Sequence, residues 1–455
     1  MAPWDPLQAA IAGEVILPGT PAYESARKPA IARFHDVRPA AVVRCTAASD
    51  VAEALAFARR FGLPIAARSG GHCFAGRSST DGVVIDVGPL RSVSMDGGVA
   101  TVGAGARLGD VYDALAEQGR TIAAGCGPEV GIAGLTLGGG LGLLGRAHGL
   151  TSDQLLAAEV VLADGRVVVC DEQHDEELFW ALRGAGGGSF GVVTSFDFRT
   201  LRVPAATSFH LVWPLADAAV VVDAWQDWAP VAPDRLAASV LVTAAAAADQ
   251  PPVVHVFGAM VGGEEETAEL LGELHARVRV DPASERRVHL PYRETKGYLA
   301  EHGPGDDGVA EPHPYSKSEY FRRPLPTGAI AALVRHVADG RVPGQARELD
   351  FSPWGGAYNR VPADATAFVH RDERFLLKHA VTVDAGASSA EREAARGWLA
   401  RSWQLAHPWG TGRAYQNFPD PDLDDAGAAY YGTNHERLLR AKARYDPDEV
   451  FRLLG

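Results

Sequence analysis

The stretch 66–86, AARSGGHCFAGRSSTDGVVID, sets a single histidine, His72, in a glycine-rich turn between two strand-like runs. Arg68, Ser69, Gly70, Gly71 and His72 have the makings of an anion cradle. Glycines let backbone N–H groups face a phosphate, Ser69 adds a donor, and Arg68 can neutralise charge. No H-x-x-x-H or C-x-x-C partner accompanies His72, so its spacing is not that of a metal ligand, and no metal site is expected. Taken alone, the loop reads equally well as a solvated turn with an ordinary histidine.

A second glycine-rich run, AAGCGPEVGIAGLTLGGGLGLLGRAHGL, fills residues 123–150. It contains a literal G-x-G-x-x-G that starts at Gly140, with Glu159 and Asp164 about twenty residues on. A dinucleotide fingerprint of that kind should follow a buried strand at the head of a βαβ unit. The preceding GIAGLTL is small and glycine-broken, so a nicotinamide site is disfavoured. A third close-approach loop, Gly186-Gly187-Gly188-Ser189-Phe190-Gly191-Val192-Val193, leads into the strand-like VVTSFDF.

Together these motifs resemble the berberine-bridge-enzyme-like flavoprotein oxidases, of the vanillyl-alcohol-oxidase type. The likeness includes RPAAVVRCTAASDVAEALAFARRFGLPIA (38–66) and LFWALRGAGGGSFGVVTSFDF (178–198). It resumes in AYQNFPDPD (414–422) and YYGTNHERLLRAKARYDPDEVFR (430–452), so it runs in the family's order towards both ends of the chain. The resemblance implies an α+β protein with a two-part FAD-binding domain of the PCMH type. A substrate domain with an antiparallel sheet backed by helices would complete it.

The resemblance also assigns roles. His72 would be bonded covalently to the 8α-methyl of the flavin, which raises its reduction potential and locks its position. Cys126 would add a second bond, to flavin C6. In the family's usual pattern two residues separate that cysteine from a Val-Gly pair, whereas here Gly127, Pro128 and Glu129 intervene. One extra residue displaces a loop atom by up to ~3.5 Å, so both a second bond and a free packed thiol stay open. Gly131, Gly134, Gly138, Gly139, Gly140, Gly191 and Val193 would lie along FAD, and Val130 would sit at the gate for oxygen. Tyr430, Tyr431 and Asn434 would close over the flavin and its ribityl chain. In Tyr415-Gln416-Asn417, which matches the family's Tyr-x-Asn, Tyr415 would act as base and Asn417 would contact substrate. A tyrosine base wants its pKa brought down from ~10, for which Arg413 or Arg360 are candidates. The alternative is a tyrosine that only packs or binds substrate. The stretch Trp354–Arg360 lacks the carboxylate that alkaloid-cyclising relatives carry near a Gly-Gly pair, so cyclisation is disfavoured. Trp354 and Tyr358 are candidates to line the substrate face.

The implied activity is hydride removal from a hydroxyl- or amine-bearing carbon of a sugar, glycoside, polyketide or alkaloid-like metabolite, with O2 reduced to H2O2. A flavin dehydrogenase with another acceptor and a non-catalytic flavin-binding protein are the alternatives.

The elements that must position these residues read as follows. Residues 50–61 have helical spacing with Asp50 at the N-cap and Gly62 as the stop; strands are expected at 83–87 and 99–105 and a helix at 108–118. Beyond residue 200, strands are expected at 207–214, 237–246, 253–261, 346–352, 366–370 and 376–383. Helices are expected at 216–228, 264–278 and 388–405, and a loop over 299–316. Laid over these elements, the resemblance implies an FAD-binding domain over 1–200, a substrate domain over 201–409 and a segment 410–455 that returns to the first.

The chain has 455 residues, 47% of them hydrophobic and 22% charged, a globular composition able to bury proper cores. Its formal net charge of −14 and the lack of a basic, aromatic-laced run argue against nucleic acid. Its four cysteines show no disulfide-framework spacing. The first residues lack a basic n-region and a long apolar h-region, and no run approaches the ~20 apolar residues of a membrane span, so a cytoplasmic protein is expected.

Overall fold

The structure is a computed structural model and describes residues 3–302, 309 and 312–452. A four-stranded sheet has the order Glu14–Ile16, Ala41–Arg44, Val83–Asp86, Ile65–Arg68. Its first pair is antiparallel and the rest are parallel. Val42, Val43, Val84 and Ile85 are fully buried, as expected where parallel strands are covered on both faces. The crossover helix Ala48–Arg60 buries Val51, Ala54, Leu55 and Ala58, the apolar stripe legible in the sequence. Asp50 is not its cap. Ala47 stands there, and the Asp50 carboxylate instead accepts from Thr46 N (2.8 Å) and Ala12 N (2.9 Å), tying down the preceding chain.

A five-stranded antiparallel sheet follows, in the order Val93–Asp96, Val99–Gly103, Val192–Arg199, Leu155–Val161, Val167–Asp171. The third sheet has seven antiparallel strands, in the order Ser284–Pro291, Ala205–Pro214, Val253–Met260, Leu236–Ala244, Gln345–Pro353, Phe375–Asp384, Pro312–Phe321. Period-2 alternation sends Phe209, Leu211 and Trp213 to one face, into a core shared with helices Ala218–Trp228, Glu264–Val278, Thr327–Ala338 and Ser389–Ala406. The fold is α+β, with the layers that the resemblance implied.

Three elements differ from the sequence reading. The edge strand Ser284–Pro291 is mostly exposed and polar, and only Val288 and Leu290 alternate inward, too short a run to betray it. Residues 366–370 form no strand; they are buried as a connection held by Ala367 N to Trp180 O and Phe368 N to Arg183 O, both 3.1 Å. The loop expected over 299–316 gives way to helix Tyr292–His302 and strand Pro312–Phe321, while 303–308, 310 and 311 lie outside the described residues.

The carboxyl-terminal helices Ala426–Tyr431 and His435–Tyr445 join the first core, where Tyr431 and Leu438 meet Phe179 and Phe190. Lys442 donates to Ser189 O (2.6 Å), Phe451 O (2.7 Å) and Asp446 Oδ2 (2.6 Å), pinning this segment beneath the glycine loop at 184–191. Among the described residues no helix is long and apolar enough to cross a membrane.

Candidate active site

Four stretches converge on one cavity of about 380 Å³: 67–78, 125–141, 187–193 and 415–419. The first two meet backbone to backbone. A Cβ on Gly70 would come within 2.3 Å of Gly131 N, so only glycine lets these loops touch. Ser69 Oγ donates to Ala104 O (2.7 Å), which fixes the turn from behind. Val130, Gly131, Gly134, Gly191 and Val193 border the cavity, as do Gly70, Gly71 and His72.

Arg68 has another role than the sequence suggests. Arg68 borders the cavity, but its buried guanidinium donates to Ser78 O (2.8 Å), Ala26 O (2.7 Å) and Arg27 O (3.0 Å). It is a brace between loops and does not neutralise an anion. His72 is half-buried, and burial together with the Arg107 charge lowers its pKa, so the imidazole is neutral at neutral pH.

Tyr415 borders the cavity at 2% exposure. Its Oη accepts from Gly140 N (3.0 Å) and from Asn417 Nδ2 (3.0 Å), whose other N–H donates to Leu135 O (2.9 Å). Burial outweighs the lowering pull of Asn417 and of the Gly140 and Leu141 N–H groups, and the phenol is pushed up to about 12. No cation helps. Arg413 pairs with Glu373 (3.5 Å) and Arg360 with Asp234, so the sequence expectation for both is overturned. The donors that favour a phenolate are amides, which composition cannot reveal.

Several expected contacts sit one layer behind the cavity. Gly138, Gly139 and Gly140 do not border it; a Cβ on Gly138 would fall 2.1 Å from Asn417 Oδ1, so the glycine run admits the Tyr-x-Asn segment. Trp354 and Tyr358 are 1% and 3% exposed and stack at 4.3 Å in a cluster with Phe368 and Tyr415. Trp354 Nε1 donates to His370 O (3.0 Å), and Tyr358 Oη packs on Gly145, so both back the site and neither lines its substrate face. Tyr431 Oη donates to Ala185 O (2.8 Å) and Asn434 Nδ2 to Ala363 O (2.7 Å) and Thr366 O (3.0 Å). These two residues, expected over the ribityl chain, hold the loops that form the wall. Cys126 is exposed and does not border the cavity, although its neighbour Gly125 does. Surrounding protein raises its thiol pKa, which Lys296 partly offsets.

Sequence reasoning missed the residues that strand register brings together. Lys378 Nζ lies 2.7 Å from Glu348 Oε1, 3.7 Å from Asp350 Oδ2 and 5.4 Å from the ring of Phe418, which borders the cavity. Burial works to lower the Lys378 pKa, and the two carboxylates outweigh it; burial pushes Asp350 up to about 6. These side chains stand on the sheet face opposite the helices, because Leu349 and Leu377 between them point into the helical core. Phe74, whose ring centroid is 6.2 Å from that of Phe418, completes an aromatic rim.

An extended redox cofactor fits these walls. A Cβ on Gly134 or Gly188 would meet nothing within 4 Å, so both glycines leave open space, and the buried Ser78 Oγ at the border has no partner. Residues 39–171 match the FAD binding domain family and residues 414–453 the family described as berberine and berberine like. An uncharacterized FAD-linked oxidoreductase, YvdP, of Bacillus subtilis (strain 168) is 33% identical, with 97% of each chain covered. The aclacinomycin-N/aclacinomycin-A oxidase of Streptomyces galilaeus is 34% identical over 91% of this chain and 84% of that protein. The solved glucooligosaccharide oxidase of Acremonium strictum, which carries a 6-S-cysteinyl, 8α-N1-histidyl FAD, superposes with a TM-score of 0.87. It is 26% identical over 98% of both chains. The fold and site are those of an FAD-linked oxidoreductase. More narrowly, the chain belongs to the berberine-bridge-enzyme-like family.

Proposed function

We propose that this protein is an oxidase that removes a hydride from a hydroxyl- or amine-bearing carbon of a ring-shaped metabolite such as a glycoside, sugar or polyketide. When bound, FAD supplies the two-electron acceptor and passes the electrons to O2, giving H2O2. The observation that carries the reading is Tyr415 Oη at the cavity wall with two N–H donors aimed at it, which offset part of the burial that favours the neutral phenol. Tyr415 takes the substrate hydroxyl proton as the hydride leaves the adjacent carbon. Phe74 and Phe418 flank a flat ligand, and Asp350, Glu348 and Lys378 beyond Phe418 offer hydrogen bonds to a polar one. The small side chain of Val130 on the wall suits access for O2. The separate cores centred on 7–198 and 209–406 support the division into an FAD-binding and a substrate domain.

His72, neutral and on the wall, is the attachment point for the flavin; Cys126, off the wall, remains a free thiol. Intact mass after denaturation, with a tryptic digest, tests this. An FAD adduct on the His72 peptide alone is expected. In His72→Ala the fold should persist while flavin becomes extractable by acid; flavin that stays bound would remove His72 from the role. An oxygen electrode with a panel of glycosidic and ring-bearing alcohols tests the oxidase. Turnover only with an artificial acceptor would make it a dehydrogenase.

A further inference from the structure

Helix Tyr292–His302 of the substrate side packs on strand Ala205–Pro214 and meets the glycine-rich run through Tyr292 and Leu299, which cluster with Ala123 and Leu144, and through Lys296. Lys296 is 8% exposed, and its Nζ donates to Ala124 O (3.2 Å) and Gly125 O (3.4 Å). The same ammonium lies 3.2 Å from the ring centroid of Tyr112, whose Oη donates to Gly125 O (2.5 Å). Gly125 borders the cavity. Among the described residues no carboxylate is paired with Lys296; the titratable groups facing it are Tyr112, Cys126 and Tyr292, the last with its ring centroid at 6.0 Å. Burying an ammonium without a counter-charge is costly, and a methionine would fill the same volume without that cost. The group is therefore there for its charge and its donors.

We propose that Lys296 is a positioning residue of the FAD site, whose ammonium clamps the Ala124 and Gly125 carbonyls and sets a positive charge at the cavity rim. The proposal rests on this cavity being the FAD site. Two carbonyl acceptors and an aromatic face all bind the cation better than the neutral amine. Deprotonation would remove the charge and one donor, loosening the rim that Tyr112 holds from the other side. Burial brings the Lys296 pKa down to about 7, against a smaller opposing pull from Cys126, so this change of state falls near neutral pH.

The test is the visible absorption of the flavin in the purified holoenzyme, without substrate, titrated from about pH 5.5 to about 9. The wild-type protein should show a one-proton spectral transition centred at about 7. Lys296→Met should show the high-pH spectrum throughout. Lys296→Arg, whose guanidinium stays charged, should show the low-pH spectrum throughout. A purely structural lysine would not set the two variants at opposite ends of one titration. Persistence of the transition in either variant, or its absence in the wild type, overturns the proposal. If Lys296→Met fails to fold, by thermal unfolding, Lys296→Arg alone decides. A wild-type protein purified without flavin would refute the FAD reading itself, and the proposal with it.

Discussion

Replacing Tyr415 with phenylalanine separates its chemistry from its packing. The ring volume is kept, so the contacts with Phe368 and Phe418 at 6.1 and 5.1 Å survive. Gly140 N–H and one N–H of Asn417 lose their acceptor. Each orphaned buried donor costs about 1–3 kcal/mol, so urea unfolding should show a loss of about 2–6 kcal/mol, the lower end if water enters. The kinetic effect is separate. With the phenol near 12, the ionised fraction at pH 8 is about one in ten thousand and grows tenfold per pH unit. Burial has raised this acid above its ordinary value, so the base form appears as pH rises and flavin reduction should accelerate with it. Anaerobic stopped-flow at saturating substrate should give a wild-type reduction rate that climbs about tenfold per pH unit between about pH 7 and 10. The variant should be slower by about 10²–10⁴-fold, with the slope gone. A pH-independent wild-type rate, or a variant within about threefold of it, would show that Tyr415 is not the base.

Two further substitutions address the cavity and its support. Gly134→Val projects a branch into open space on the short helix Ile132–Leu137, so it should fold with a Tm within about 4 °C of wild type yet purify with little flavin. A normal flavin-to-protein absorbance ratio would show that FAD does not pass this point. Asp153→Asn leaves Arg371 without its bidentate carboxylate (2.7 and 2.8 Å, both side chains buried), and chemical denaturation should show a loss of about 3–5 kcal/mol. A loss below about 1 kcal/mol would mean that water already solvates the pair.

The sequence revealed the parts whose chemistry is local. The turn at Gly70–His72 is legible because close approach to Gly131 admits no side chain, and Tyr415 with Asn417 because the pair lies within three consecutive residues. The helices Ala48–Arg60 and Glu264–Val278 announced themselves through apolar spacing. What depends on register across strands could not be read. Glu348, Asp350 and Lys378 meet only because Asp350 pairs with Lys378 across neighbouring strands. Lys296 looks like any helix-surface lysine until its helix is docked on the far side of the cleft. The aromatic pair Trp354 and Tyr358 was misplaced for the converse reason: residue type suits both a ligand face and a core, and only burial distinguishes them.

The bracing of the glycine loop at 184–191 by Tyr431 and Lys442 has a consequence for how the protein is made. A ribosome that has released the chain as far as helix Ser389–Ala406 has delivered the glycine loops and His72, but not Tyr415, Asn417 or the tail beneath Ser189. The pocket has no floor until those residues emerge. Cofactor binding should therefore be a late step in biosynthesis, and a messenger with a premature stop before Arg413 should yield a colourless chain that lacks both this wall of the pocket and part of the first core.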